Sequence, residues 1–478
     1  MYTLTLNSFL VAYNKLMLIK YGVRSREPLP LLSKRPGFTI IESLIGITIL
    51  TMVSIALFSV MASNLSNLFQ SKARGIALAI AQEKIEDLKN LPYDSLSTQG
   101  GNIYPPGSIL DNEDMTRNGL KFRIHTDIRY IDNDYDGNAS GTVSGKPVDL
   151  YSYDYKKVTI TITDPKGTTQ LAQLSSDIAA KAAETAGNTG VLLVKVIDAA
   201  GIAVEGATVQ ITNQNPNPDV NITTTTDVQG QVIIPKLPPD STPGYHVVIT
   251  KAGFNSDQTY TIDAGHPTPA NPDFAMLAQQ ITTKTFSIDQ LTNLSLTITN
   301  QTGTPLSNQA VTIQGQKLTN NTPASYRVTQ TNTTNNEGLV QFNLIEWDSY
   351  SVSIPGYTIL SSYPFTPITA APNGLISATL IAAPSPTQYP IITSVTPTTS
   401  TASNSVTIDI AGNNFSSASS IILRKAGETD RVASAITLNG QDSLSGTFDL
   451  TTASGAYTLI VTTTGLSTSQ PNAMTVGP

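Results

Sequence analysis

Residues 34–61, KRPGFTIIESLIGITILTMVSIALFSVM, put two basic residues and a Pro-Gly pair in front of a long apolar run with one charged member, Glu42. From Phe38 to Met61 no other charge occurs. That run exceeds the ~20 residues a helix needs to cross a bilayer, so it reads as a membrane span. A secretory signal has a shorter apolar region of ~7–15 residues and a small-residue cleavage site, which this run does not match. Lys34 and Arg35 precede the run and the next basic residue is Lys72. The bias of positive charge towards the cytoplasm therefore puts residues 1–37 inside and the bulk of the chain outside. Pro is absent until Pro92, and Leu65, Leu68, Phe69, Ile76, Ile80, Ile85 and Leu88 fall near helical spacing. One helix is expected over 38–91, apolar all round in its first half and amphipathic in its second, roughly 80 Å long.

An unpaired carboxylate at the centre of a bilayer costs ~2.5 kcal/mol or more, so such acids usually have a named partner. At the depth of the headgroups Glu42 would instead meet water. The motif KRPGFTIIE followed by an apolar helix resembles the N-terminal signal of type IV pilins and type II secretion pseudopilins. The resemblance implies cleavage by a prepilin peptidase between Gly37 and Phe38 and N-methylation of Phe38. It also makes Glu42 the assembly glutamate, which meets the amine of another pilin subunit in a fibre. ALAIAQEKIEDLKNLPYDSL is similar to the same region of minor pilins. The leader is longer than is usual in that family, and either Met1 or Met17 is a candidate start.

The 478 residues exceed one ordinary core and call for several domains. Asp, Glu, Lys and Arg make up only 13% of the chain, while hydroxyl and amide residues are abundant, as in strands joined by turns. Cysteine is absent, which excludes disulfides, thiolate metal sites and cysteine nucleophiles. His125, His246 and His266 stand singly, against a histidine metal cluster or a Ser-His-Asp arrangement. The total charge of −7 divides into +5 for residues 1–37 and −12 for the rest, which argues against a broad nucleic-acid surface. No nucleophile stands beside an evident base, so no enzymatic activity is expected.

The alternating segments 120–131 and 155–164 predict two strands of a small antiparallel head packed on the helix, the α+β arrangement that the pilin resemblance implies. Between them DNDYDGN places Asp132, Asp134 and Asp136 before Gly137. Acids alternating on a turn can converge on calcium, the one cofactor the sequence suggests. The twelfth place of such a loop, Val143, carries no acid, with Asp149 or Asp154 as substitutes. Ordinary turn chemistry accounts for the same residue types. QLAQLSSDIAAKAAETAGNTG reads as a last head strand and a linker.

Beyond it, VLLVKVIDAAGIAVEGATVQIT and TTTTDVQGQVIIPKLPPDSTPGYHVVITKAGF have the strand and turn spacing of a β-sandwich. They resemble carboxypeptidase regulatory-like domains, accessory modules without peptidase chemistry. LTITNQTGTPLSNQAVTIQG and TTNNEGLVQFNLIEWDSYSVSIPGY repeat the pattern near 100 residues later, which makes tandem modules. Trp347 and Tyr350 read as core. The Pro-rich APSPTQYP is read as a stiff linker, and the last segment resembles an immunoglobulin-like module of the IPT/TIG kind. The expected organisation is α+β, then tandem all-β immunoglobulin-like sandwiches. Its parts are a leader at 1–37, a helix at 38–91 with 38–61 in the membrane, a head and connector at 92–186, sandwiches at 187–280 and 281–382, a linker at 383–390 and a sandwich at 391–478.

Overall fold

A computed structural model of the chain describes residues 39–151, 153–180, 187–403 and 405–477. The chain falls into two units, residues 1–72 and Ala73–Pro478. Helix α1 runs Ile40–Lys89. Its first half is exposed on every side, and it is long and apolar enough to cross a membrane. In its second half Ala77, Ile80, Ala81, Ile85 and Leu88 form a buried stripe at helical spacing. Leu65, Leu68 and Phe69, expected on that stripe, are exposed. The hydrophobic cluster that covers the stripe takes in the helix only from Ala73 onward.

The head is a four-stranded antiparallel sheet, β1 (Asn112–Arg117), β2 (Leu120–Ile131), β3 (Tyr155–Thr163) and β4 (Gln170–Ala179), in that spatial order. Phe122, Ile124, Ile128, Val158, Ile160 and Ile162 point from β2 and β3 onto the helix stripe. The sequence reading found β2, β3 and β4 and missed β1. Its residues NEDMTR carry no apolar alternation, because Glu113 and Arg117 reach the helix as ion pairs with Lys84 and Glu83 (both 2.5 Å). The signal lay in the turn. Asn118 and Gly119 both have positive φ (51° and 78°), the geometry for which Asn-Gly hairpins are selected.

The first sandwich comprises β5 (Gly190–Ile197), β6 (Thr208–Asn213), β7 (Val220–Thr225), β8 (Gln231–Leu237), β9 (Asp240–Thr250), β10 (Asp257–Gln258), β11 (Phe274–Met276) and β12 (Ile281–Ser287). One sheet is ordered β12-β5-β8 and the other β10-β9-β6-β7, with β11 on β9. Strand β12 pairs in parallel with β5, and Phe286 and Ile288 complete the core. Residues 281–288 therefore belong to the first sandwich, and the boundary drawn at 280 from sequence moves beyond them. Turn spacing shows where strands begin but not which sheet a long-range parallel partner joins.

The second sandwich begins at Thr292–Thr299, which pairs in parallel with the module's last strand, Leu375–Pro384. The repeat is visible bond by bond. Asp198 Oδ1 accepts from the Ala200 and Ile202 amides, and Asn300 Oδ1 from those of Thr302 and Thr304. Asp227 and Asn335 repeat that device at the next turn. An aspartate in one copy and an asparagine in the other means that the turn needs an acceptor and not a charge. Buried Thr226 donates to Val204 O (2.6 Å) and accepts from Ala207 N (2.9 Å), while Thr334 does the same with Leu306 O (2.7 Å) and Gln309 N (2.9 Å). Tyr245 and Tyr350, both fully buried, donate to Pro238 O (2.6 Å) and Glu346 O (2.5 Å).

In the third sandwich the second strand, Thr399–Thr401, runs parallel to the last one at 475–477, while the first, Ile391–Thr396, pairs antiparallel with Val406–Asn413. The Pro-rich 383–390 is not a free linker. Ala383 is buried in a strand that extends to Pro384, and Tyr389 packs on the cluster of Leu360, Ile381 and Ala383. Ser361 and Gln470 add bonds between modules, to Ser469 O (2.6 Å) and Ser362 O (2.8 Å).

Replacing Thr226 by Val strands a buried N–H and a buried carbonyl at once. The first sandwich should lose about 1–3 kcal/mol, measured as faster native-state hydrogen exchange at the Ala207 amide.

Candidate functional sites

The Gly37–Phe38 junction lies outside the described residues. Glu42 sits in the first turn of α1, where Thr39 N donates to its Oε2 (3.0 Å) and Glu42 N donates to Thr39 Oγ1 (3.3 Å). This is a capping box, and Thr-x-x-Glu ahead of the apolar run was its readable signal. Farther along, Thr48, Thr51 and Ser54 return their hydroxyls to the carbonyls of Leu44, Ile47 and Leu50 (2.8, 2.8 and 2.7 Å). These three hydroxyls are thus satisfied within the helix, as a segment in hydrocarbon would require. The carboxylate is the one group there whose charge the helix does not neutralise.

Asp132, Asp134 and Asp136 lie at the exposed tip between β2 and β3, with Asp132 more buried than the other two. Asp132 Oδ2 accepts from Ala139 N (2.9 Å), and Asp134 Oδ1 from Asn138 Nδ2 (3.0 Å). Among the described residues no three Asp, Glu or His side chains are gathered into a ready-made ion cage. Burial, with the neighbouring charges of Asp149, Asp154 and Asp134, pushes the Asp132 carboxyl up to about 6.

Two inter-module contacts are built from charges. Lys156 is buried under the head, donating to Tyr93 O (2.9 Å) and Leu96 O (2.8 Å) with Tyr93 and Tyr130 rings against it. Lys236 of β8 lies 4.4 Å from the Tyr153 ring centre and 5.3 Å from that of Tyr130, so the Tyr130 ring serves a lysine from each domain. Tyr104 of the head packs on the first sandwich's core and donates to Pro218 O (2.7 Å). Between the two repeated sandwiches Arg327 bridges Asp257 (3.1 Å) and Glu346 (3.2 Å). Glu346 also takes Lys317 (2.9 Å) and Asn255 (3.0 Å). Trp347, expected in the core, is half-buried and lies under the Lys317 ammonium, 3.0 Å from its ring centre. Tyr350 does lie in the core.

The three residue types of a hydrolase triad meet once, at Thr259, His246 and Asp273. Thr259 is fully buried and donates to Asp273 (2.6 Å), which also holds His246 Nδ1 (2.8 Å). The hydroxyl is committed as a donor to the carboxylate and is fully buried, so the knot is structural. A polar groove of about 890 Å³ runs past His125, Asp127, Arg129, Thr159, Thr161 and Thr224.

Residues 191–276 match the family model of the carboxypeptidase regulatory-like domain, which spans the first sandwich up to β11. No curated protein matches the chain. Similar solved structures include the Bacillus anthracis TIE protein, at 12% identity over 79% of this chain and 71% of that one, with a TM-score of 0.18. A streptococcal ancillary pilin is similar at 14% identity over 47% and 75%, with a TM-score of 0.19. A shaft pilin of Lactobacillus rhamnosus GG is similar at 13% identity over 41% and 97%, with a TM-score of 0.16. Scores this low leave these likenesses without weight for fold or function. The chain is thus a multi-sandwich protein with one long apolar helix and a carboxypeptidase regulatory-like module.

Truncating Arg327 to Ala leaves Asp257 and Glu346 short of a buried cation and should cost about 2–5 kcal/mol. The readout is hydrogen exchange at the Leu291 amide, which bonds Gly253 O across the same junction (3.0 Å). Burial, with the charge of Lys236, pushes the Lys156 ammonium down from 10.5 to about 8. The unfolded chain then holds more protons than the fold between those values, so head stability rises as pH climbs from about 8 towards 10.5. The rise should be absent in Lys156→Met, compared by thermal melts across that range.

Proposed function

We propose that the chain is a non-catalytic minor pilin or pseudopilin. A prepilin peptidase cuts it between Gly37 and Phe38, Phe38 is N-methylated, and α1 enters a type IV pilus-like fibre. Before assembly it is a single-pass protein of the cytoplasmic membrane with residues 1–37 inside. Afterwards its sandwiches, the last of the IPT/TIG kind, are displayed for adhesion or for contact with a surface or protein ligand. The observation that carries this reading is α1 itself. Directly after Lys-Arg-Pro-Gly, one unbroken helix passes from a half with no apolar partner among the described residues to a half packed under a small sheet. A fibre of such helices supplies the missing partners, and Glu42 meets the methylated amine of a neighbouring subunit.

One observation favours a second reading, a membrane-anchored adhesin that never polymerises. The capping box already gives Glu42 a task inside its own helix. Intact mass and N-terminal sequencing of the mature protein test the first reading, which expects a chain starting at N-methylated Phe38. An uncut chain overturns it. Glu42→Ala and Thr39→Ala separate the two tasks. Assembly predicts that only the Glu42 variant disappears from purified fibres, whereas capping alone predicts that both behave alike.

A further inference from the structure

The loop between β2 and β3 contains a defect that turn chemistry does not account for. Asp149 is only 9% exposed. Its Oδ1 accepts from Tyr151 N (2.8 Å), while its Oδ2 is buried with no hydrogen-bond donor. Asp132 repeats the arrangement, with Oδ2 on Ala139 N (2.9 Å) and Oδ1 buried without a donor. A polar tip stabilised by its own backbone leaves no such oxygens behind. Two dehydrated carboxylate oxygens in one loop are costly unless a cation sits between them.

The loop is folded so that the segment of Asp149 crosses the segment on which Asp132 is bonded. Asn138 and Val148 form a parallel bridge, and Asp149 N donates to Asn138 O (3.1 Å). The crossing is possible because residue 137 is Gly. A Cβ there would stand 2.2 Å from Pro147 O, and its φ of +143° is one that side chains disfavour. This brings Asp149 to the motif whose own twelfth position, Val143, offers no acid. The charge of Asp149 is felt at Asp132, and those of Asp136 and Asp154 at Asp149. Asp154 fixes the mouth of the loop by accepting from Asn133 N (2.5 Å). Lys146, the single basic residue between 132 and 154, has its ammonium 5.3 Å from the Tyr135 ring centre.

We propose that this loop binds one calcium ion, with Asp132 Oδ1 and Asp149 Oδ2 as the buried ligands and the exposed Asp134 and Asp136 closing the shell from the solvent side. A hard cation with about 6–8 oxygen ligands and flexible geometry suits carboxylates arriving from two separate segments. Magnesium, which demands a near-ideal octahedron and holds its water, suits them less. The segment 132–149 is then fastened at its base by the ion.

The test uses the full chain in detergent, stripped with a chelator and titrated calorimetrically with calcium chloride and, separately, magnesium chloride. One calcium per chain, weaker magnesium binding, and slower hydrogen exchange at the Ala139 amide with calcium are expected. Asp149→Asn keeps the shape and removes a buried charge, and should weaken calcium by about 10- to 100-fold or more. Asp136→Asn, at the exposed tip, should weaken it as well and does not disturb folding. No calcium uptake by the wild-type chain at roughly millimolar concentration overturns the proposal, as does unchanged affinity in both variants.

Discussion

The apolar surface of α1 has to be covered, and the described residues of its own chain cover only part of it. From Ala73 to Leu88 the head sheet takes one stripe of the helix, through Phe122, Ile124, Val158 and Ile160. Before that point Ile47, Leu50, Phe58 and their neighbours are exposed in every direction. Burial of apolar area contributes about 25 cal/mol per Å², so a helix left this bare in water is driven towards lipid or towards other helices. The hydroxyls bonded back onto their own carbonyls and the capped first turn suit such an environment, and Glu42 is the one charge in that half.

Above the helix, order between modules comes from a few polar contacts placed where surfaces meet. Lysines from two domains share Tyr130, and Arg327 joins acids from two sandwiches. In these joints most of the specificity is electrostatic and aromatic, while each module keeps its own apolar core. The two repeated sandwiches use the same turn acceptors, the same buried threonine and the same buried tyrosine.

The long helix, the sandwich character and the tandem repeat were all legible in the sequence, because each rests on local periodicity or on turns that recur. Strand β1 was not, since its charges face the helix flank and only Asn118-Gly119 marked it. The place of β12 escaped for a different reason: its partner β5 lies about 90 residues earlier, and period-two alternation does not say which sheet a strand joins. Charges were the least readable of all. Nothing local links Asp257 to Arg327 and Glu346, whereas for the loop after β2 the alternating acids were legible and Asp149 or Asp154 stood as the two candidate substitutes for the twelfth position, between which only the fold discriminates. The Glu42 cap is legible in Thr39-x-x-Glu42, since that spacing alone lets the carboxylate reach back to the Thr39 amide.

In every sandwich a strand near the module's entry lies parallel to its last one: β5 with β12, Thr292–Thr299 with Leu375–Pro384, and Thr399–Thr401 with 475–477. Chain enters at one end of such a pair and leaves at the other, so tension along the backbone runs parallel to the ladder. It loads the inter-strand bonds in shear, all together, and does not peel them one at a time. The first two modules hold seven residue pairs each in this arrangement and the third holds three, so the third has the shortest such clamp.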